Sequence, residues 1–232
     1  MYKKLALLPT TIILIFISTG MHTIDSILPK KPSLKKGRLL FKDNFDNKIT
    51  YTKEYQKVAE GWWVKTTHAN WEQTKNGLKS IYKEGHMPVL TYKGEFKNVI
   101  IELDFRFYTE EGKWSACRVS ATNPVLNPRA YAVSAWANID NKARSLGMIL
   151  EHDEWKPGEI TTVDHKQANF VPGKWYTLRL EVVGNTAKAT CNGITVSGNN
   201  ANFGIDKSAI YLGVGTSPHE LRNFRVYEAI EK

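Results

Sequence analysis

The stretch Val99–Tyr108, VIIELDFRFY, constrains this chain most. Ile101, Leu103, Phe105 and Phe107 fall on one side of it, and Glu102, Asp104, Arg106 and Tyr108 on the other. Side chains along an extended strand repeat every second residue, so this is a strand with one buried face and one face loaded with ionisable groups. The same grammar recurs along the chain. Leu39–Phe45, Gly61–Thr66, Leu78–Lys83 and Val89–Tyr92 read as strands before it. Ser115–Ala121, Tyr131–Asp140, Ser145–Asp153, Trp175–Val183, Ala187–Val196, Ala209–Gly215 and Leu221–Ala229 read as strands after it. Gly184-Asn185 and Asn192-Gly193 supply turns. No segment sustains helical periodicity. Many short strands with regular turn signals predict an all-β sandwich or barrel, and no linker-like stretch divides residues 39–229. With 42% hydrophobic and 11% aromatic residues the chain can build a sizeable core. It reads as one domain.

The first 20 residues read as a signal peptide: Lys3 and Lys4, an apolar run over Leu5–Ile17, and the small residues Ser18-Thr19-Gly20. A spanning helix needs about 20 apolar residues, whereas this run is shorter and contains Pro9. Export is the expectation, with no integral membrane segment after cleavage; the alternative is an uncleaved anchor. The formal charge of +9 is concentrated near the N-terminus. Lys3 and Lys4 belong to the leader, and Lys30, Lys31, Lys35, Lys36 and Arg38 to a basic linker over residues 21–38. From Leu39 onward 25 basic residues face 22 acidic ones. A nucleic-acid partner needs a basic patch on a folded face, and this distribution argues against one.

Several stretches carry a resemblance. The run GKWYTLRLEVVGNTAKATCNG from Gly173 resembles the hairpin of concanavalin A-like (laminin G-like) jelly rolls. The entry LLFKDNFDN, then GWWV, IELDFRF and the closing LRNFRVYEA, are similar in order and content to the 3-keto-disaccharide hydrolase-like family. The resemblance spans about residues 39–229. It implies a concanavalin A-like jelly roll of two antiparallel sheets, and hydrolysis of (3-keto-)disaccharides or other oxidised glycosides. The chain departs from that family at SACRVSA, where an Asn-Ser-Gly strand is usual.

Parity also predicts a site. If the middle strands form one antiparallel meander, Glu102, Asp104 and Arg106 point out beside Arg118, then Ser134, Trp136 and Asn138, then Glu151 and Asp153. Carboxylates, arginines and amides hydrogen-bond hydroxyls, and an aromatic face stacks on a sugar ring, so this mixture suits an extracellular oligo- or polysaccharide. Cross-strand ion pairing on an ordinary solvated face is the alternative. In a catalytic variant Glu102, Asp104 and Glu151 are the candidate catalytic carboxylates. Glu102 and Asp104, as same-face neighbours, lie about 6.5–7 Å apart at the rise of a strand, a spacing suited to glycoside hydrolysis. Arg106 and Phe107 stand where laminarinase-type motifs place a third acid, and Arg106 holds nearby carboxylates ionised, which favours binding over proton donation.

The acidic cluster Glu151-His152-Asp153-Glu154-Trp155 could supply oxygens to a calcium ion, although it lacks EF-hand spacing. No other cofactor is indicated. Cys117 and Cys191 both fall on predicted inward positions, where they either pair or remain buried thiols. Three functional readings follow: an exported carbohydrate-binding or carbohydrate-processing β-sandwich, a glycoside hydrolase, and a non-catalytic adhesion module tethered by its basic linker.

Overall fold

A computed structural model describes residues 34–46, 51–122, 131–140, 145–153 and 160–231. These residues fold into two eight-stranded antiparallel sheets packed face to face, the jelly-roll sandwich expected from the alternation. The first sheet, sheet A, contains β1 (Leu34–Asp43), β4 (Ala69–Thr74), β5 (Gly77–Tyr82), β7 (Val99–Phe107), β12 (Tyr176–Val183), β13 (Thr186–Cys191), β14 (Ile194–Asn199) and β16 (His219–Glu231). Its order is β14-β13-β12-β7-β16-β5-β4, with β1 paired to the far half of β16. Sheet B runs β11 (Ile160–Lys166), β10 (Gly147–Asp153), β9 (Tyr131–Asn138), β8 (Ala116–Thr122), β15 (Lys207–Val214), β6 (Val89–Phe96), β3 (Trp62–Thr67) and β2 (Gln56–Ala59).

The core lies between the two inner faces. Ile101, Leu103, Phe105 and Phe107 of β7 are all fully buried there, as their alternation predicts. From sheet B come Cys117, Val119 and Ala121, then Val133, Ala135 and Ala137, then Ile210, Leu212 and Val214. Phe41 stacks on Trp62 at 4.8 Å, and Tyr92 packs on Phe224 at 4.7 Å, so aromatic pairs join the sheets at the end near β1. Cys117 and Cys191 are unbonded buried thiols on opposed inner faces; burial pushes the Cys191 thiol up to about 12.

Three local features differ from the sequence reading. Strand β1 begins at Leu34, so Lys35, Lys36 and Arg38 belong to the sheet rather than to a free basic segment. Strands β2, β4 and β11 escape the alternation test because they lie at sheet ends and their residues are largely exposed or half-exposed. The strand bounds Ala187–Val196 span two strands, β13 and β14, and the Asn192-Gly193 turn expected there separates them. Both turn residues have positive φ, 51° and 77°, as a tight hairpin of this kind requires.

Candidate functional site

The outward groups expected to line one groove lie on opposite sides of the sandwich. Glu102, Asp104 and Arg106 stand on β7 in sheet A, while Arg118, Ser134, Trp136, Asn138 and Glu151 stand on β8, β9 and β10 in sheet B. The expected meander is therefore corrected: between Phe107 and Ala116, through the turn at Gly112 (φ 74°), the chain crosses to the other sheet. Alternation fixes which side of its own sheet a residue faces and carries no information about which sheet that is.

On sheet A the charged face satisfies itself. Glu102 accepts from Arg179 Nη1 and from Lys36 Nζ, each at 2.8 Å. Asp104 accepts from Thr177 Oγ1 at 2.6 Å and from Asn223 Nδ2 at 2.7 Å. Arg106 pairs with Glu220, and both Arg106 and Arg222 lie against the Trp175 ring, at 4.7 and 3.9 Å. Burial opposes the charge of Glu181, but its bonds to Arg179 and Lys188 outweigh burial and hold its carboxyl below the usual range. Register explains the ladder, since Arg179 stands opposite Glu102, and Glu220 opposite Arg106. Both carboxylates proposed as catalytic on β7 thus have their oxygens engaged by the protein itself.

The outer face of sheet B is built differently. Residues opposite one another on antiparallel strands share a face. One row runs Ile149, Trp136, Arg118, Gly213, Val89, Thr67, and the next runs Glu151, Ser134, Ser120, Tyr211, Thr91, Lys65. Although these residues point away from the core, Arg118 and Trp136 are each only 4% exposed. Trp136 is consequently not the open platform its parity suggests. Its indole Nε1 donates to Glu151 Oε1 at 2.6 Å, and its ring supports the Arg118 guanidinium at 4.9 Å. The Tyr131 ring supports the guanidinium at 4.4 Å.

Tyr131 was expected to face inward. A register shift between Glu151 and Asp153 interrupts the alternation of β9, and Tyr131 instead packs edge-on against outward-facing Tyr211 at 5.6 Å. An irregularity of this kind re-aims a side chain.

On sheet A even Arg222, whose Nε also lacks a hydrogen bond, lies 3.6 Å from the Asp104 carboxylate, whereas Arg118 has no ion-pair partner among the described residues. Its Nε and Nη2 are buried and have no hydrogen-bond partner. Its guanidinium lies over Gly213: a Cβ built there would meet Nε at 3.2 Å, Nη2 at 3.4 Å and Met87 Cε at 2.8 Å. Glycine in the middle of a strand marks such a close approach. A buried charge without a partner costs several kcal/mol, so this arrangement stores binding capacity at one point of the surface. Exposed His86 and His68 lie beside each other, ring centroids 5.4 Å apart. Burial lowers the His86 pKa, and the nearby Arg118 and His68 charges add to that. Burial, with Tyr55 and Tyr131 nearby, pushes the Tyr211 phenol up to about 12, so it remains a neutral donor.

The other expected residues are bonded or buried within the protein. The Ser134 and Ser120 hydroxyls hydrogen-bond each other. Asn138 Nδ2 donates to Asp140 and Ser145 carbonyls at 2.8 and 2.9 Å. Asp153 is buried opposite Tyr131. Glu154 and Trp155, invoked for calcium, lie outside the described residues, and among those described no group of three His, Cys, Asp or Glu side chains converges on a metal site. Tyr131, Tyr211, Gly213, His68 and His86 complete the surroundings of Arg118; the alternation of Ala209–Gly215 is the sequence signal that could have found Tyr211 and Gly213.

With this geometry in place, comparison with known proteins is informative. No curated protein matches the chain in sequence. The carbohydrate-binding module CBM66 from Bacillus subtilis is similar in fold, with TM-score 0.56 and 11% identity over 72% of this chain and 96% of that one. A Bacillus subtilis protein of unknown function with a galectin-like fold gives 0.58 and 11%, over 86% and 100%. LamA from Z. galactanivorans, in complex with laminaritriose and laminaritetraose, gives 0.52 and 12%, over 84% and 100%. At these identities the likeness concerns the fold. A family model matches residues 41–227, almost the whole sandwich. The chain belongs to the 3-keto-alpha-glucoside-1,2-lyase-like domain family.

Proposed function

We propose that the outer face of sheet B is a carbohydrate-binding surface centred on Arg118, in a protein exported by its N-terminal leader. The observation that carries this reading is a buried guanidinium with unpaired Nε and Nη2, held between the rings of Tyr131 and Trp136. Aromatic rings beside convergent polar groups make the usual chemistry of a sugar site, and Tyr211 adds a phenol donor beside them. Structures of similar fold include a carbohydrate-binding module and an endo-beta-1,3(4)-glucanase of family GH16, which supports placing sugar recognition on this scaffold. The test is a glycan array followed by titration calorimetry. Arg118→Gln and Tyr211→Ala should each weaken binding at least tenfold. Glu102→Gln and Asp104→Asn, on the other sheet, should leave it unchanged; the opposite pattern would move the site to sheet A.

Family membership favours a catalytic second reading, elimination from a 3-keto glycoside. The ketone at C3 acidifies the C2 proton. A base removes that proton, the C1–O bond breaks, and the products are an unsaturated keto sugar and a free alcohol. His86 suits the base, because its lowered pKa keeps it neutral near pH 7 and a neutral imidazole accepts a proton. Arg118 suits the developing oxyanion at O3. His86→Gln should abolish appearance of the unsaturated product from a 3-keto glycoside while sparing binding; full turnover would discard this step. For the adhesion reading, Lys36 and Arg38 of the basic segment are paired to Glu102 and Glu228 within sheet A, and Lys30 and Lys31 lie outside the described residues.

A further inference from the structure

We infer that the sugar this surface takes is acidic: an oligosaccharide bearing carboxylates, one of which seats on the Nε/Nη2 edge of Arg118. This deepens the sugar-binding reading and rests on it. The first reason is the state of Arg118. It is 4% exposed, yet Nε and Nη2 have no hydrogen-bond acceptor. The neighbouring carboxylate, Glu151, gives Oε1 to the Trp136 indole. A sugar hydroxyl would satisfy these N–H groups but leave the buried positive charge uncompensated. A carboxylate does both, because its two oxygens match the planar N–H fork of a guanidinium. Gly213 makes room for this arrangement: a Cβ there would lie 3.2 Å from Nε, 3.4 Å from Nη2 and 2.8 Å from the Met87 methyl.

The second reason is the charge distribution along the strands. From Arg118 the same face runs across β15 and β6 to Lys93, and on to Lys65 of β3. Neighbouring strands are about 4.8 Å apart, so Lys65 is about 14 Å from the Arg118 strand, a distance spanning more than one sugar unit. Both lysines lie over the exposed Tyr55 ring, at 4.6 Å for Lys65 and 5.9 Å for Lys93. Cation and aromatic face therefore alternate across the sheet: Arg118 and Tyr131 at one end, Tyr211 in the middle, Tyr55 with Lys65 and Lys93 at the other. Rings for sugar faces, with positive charges at intervals between them, suit a chain whose units carry negative charge.

The test uses the whole chain and an array of uronate-containing oligosaccharides, including polygalacturonate and alginate oligomers, each printed beside its methyl ester. Hits are measured by titration calorimetry. Esterification keeps the sugar body and removes the charge. An acid should bind about 10- to 100-fold more tightly than its own ester, the range for a charge-assisted bidentate contact. Arg118→Gln should weaken the acid about 10- to 100-fold more than the ester, so that the preference disappears, while Arg118→Lys restores part of it. Lys65→Ala with Lys93→Ala should lower the affinity for long acidic oligomers more than for short ones, and this loss should shrink in high salt.

If acid and ester bind equally, or the acid preference survives Arg118→Gln, the acidic-sugar inference falls while sugar binding stands. If no glycan binds a chain with intact circular dichroism, both fall. If acetate or inorganic phosphate competes as strongly as the oligomer, the site is a simple anion site and the oligosaccharide claim is overturned.

Discussion

Replacing Arg118 by methionine should not destabilise this protein, although the residue is almost wholly buried. Truncating one partner of a buried ion pair ordinarily costs about 3–5 kcal/mol, because the other charge is stranded. Arg118 has no such partner to strand. Two buried N–H groups without acceptors cost about 1–3 kcal/mol each, so removing them recovers about 2–6 kcal/mol. Against this stand two ring contacts, to Tyr131 at 4.4 Å and Trp136 at 4.9 Å. A desolvated cation–π contact contributes about 1–2 kcal/mol, so about 2–4 kcal/mol is lost with the charge. Methionine keeps an unbranched stem of similar length, and its sulfur regains a fraction of the aromatic contact.

Set against each other, the two ranges run from a loss of about 2 to a gain of about 4 kcal/mol and centre on a gain of about 1 kcal/mol. For a domain of this size 1 kcal/mol moves the Tm by about 2–4 °C, so Arg118→Met should melt about 2–4 °C above the wild type. Urea unfolding followed by circular dichroism, with calorimetric melting alongside, reads both quantities. A drop of more than about 8 °C would refute the reasoning, since it would mean that the guanidinium holds the native fold together rather than waiting for a ligand. A saturating glycan should then raise the Tm of the wild type and not that of the variant.

Three further expectations follow. Gly213→Ala introduces a Cβ only 2.8 Å from Met87 Cε and 3.2 Å from Arg118 Nε, both at the ends of flexible side chains; glycan affinity should fall at least tenfold by calorimetry while the Tm drops by no more than a few degrees. Glu102→Gln removes the anion shared by Lys36 and Arg179 on sheet A, which should cost about 1 kcal/mol in urea unfolding and leave glycan binding intact. His219 is fully buried, its Nδ1 is bonded to the Ser217 carbonyl at 2.7 Å, and burial lowers its pKa to about 4. The unfolded chain therefore binds a proton near pH 6.5 that the folded chain refuses until about pH 4, so stability should fall as pH drops through that window and level off below it. At 1.36 kcal/mol per pH unit the fall is about 3 kcal/mol, and His219→Gln should flatten it in pH-dependent unfolding; an unchanged slope would assign it to another group.

The fold was largely legible because burial on one side of a strand writes itself into every second residue. The inward sets of β7, β8 and β15 read directly from Ile101-x-Leu103-x-Phe105, Cys117-x-Val119-x-Ala121 and Ile210-x-Leu212-x-Val214. The edge strands were not legible, since exposed residues such as those of Ile160–Lys166 have no core to alternate against. The site was half legible. Parity named Arg118 and Trp136 as outward, but outward on this sheet still means buried, and nothing local says so. Strand neighbours are set by long-range pairing, and for this reason Glu102 and Arg118, 16 residues apart in the chain, read as neighbours and stand on opposite sheets. Tyr131 was misplaced by a single register shift, which reverses a side chain without leaving a mark in composition.

The placement of β16 has a consequence for how the molecule is made. This strand, which follows every other described strand along the chain, lies between β7 and β5 and also holds β1. The ion pair between Arg106 and Glu220 joins residues 114 apart. At about 5–20 residues per second, β7 waits roughly 6–23 s for that partner to emerge. Throughout that interval one edge of VIIELDFRF, among the most hydrophobic strands of the chain, has no strand to bond. Glu102, Asp104 and Arg106, which neutralise the finished face, then act as gatekeepers: three charges on a waiting edge that oppose its pairing with the same segment of another chain.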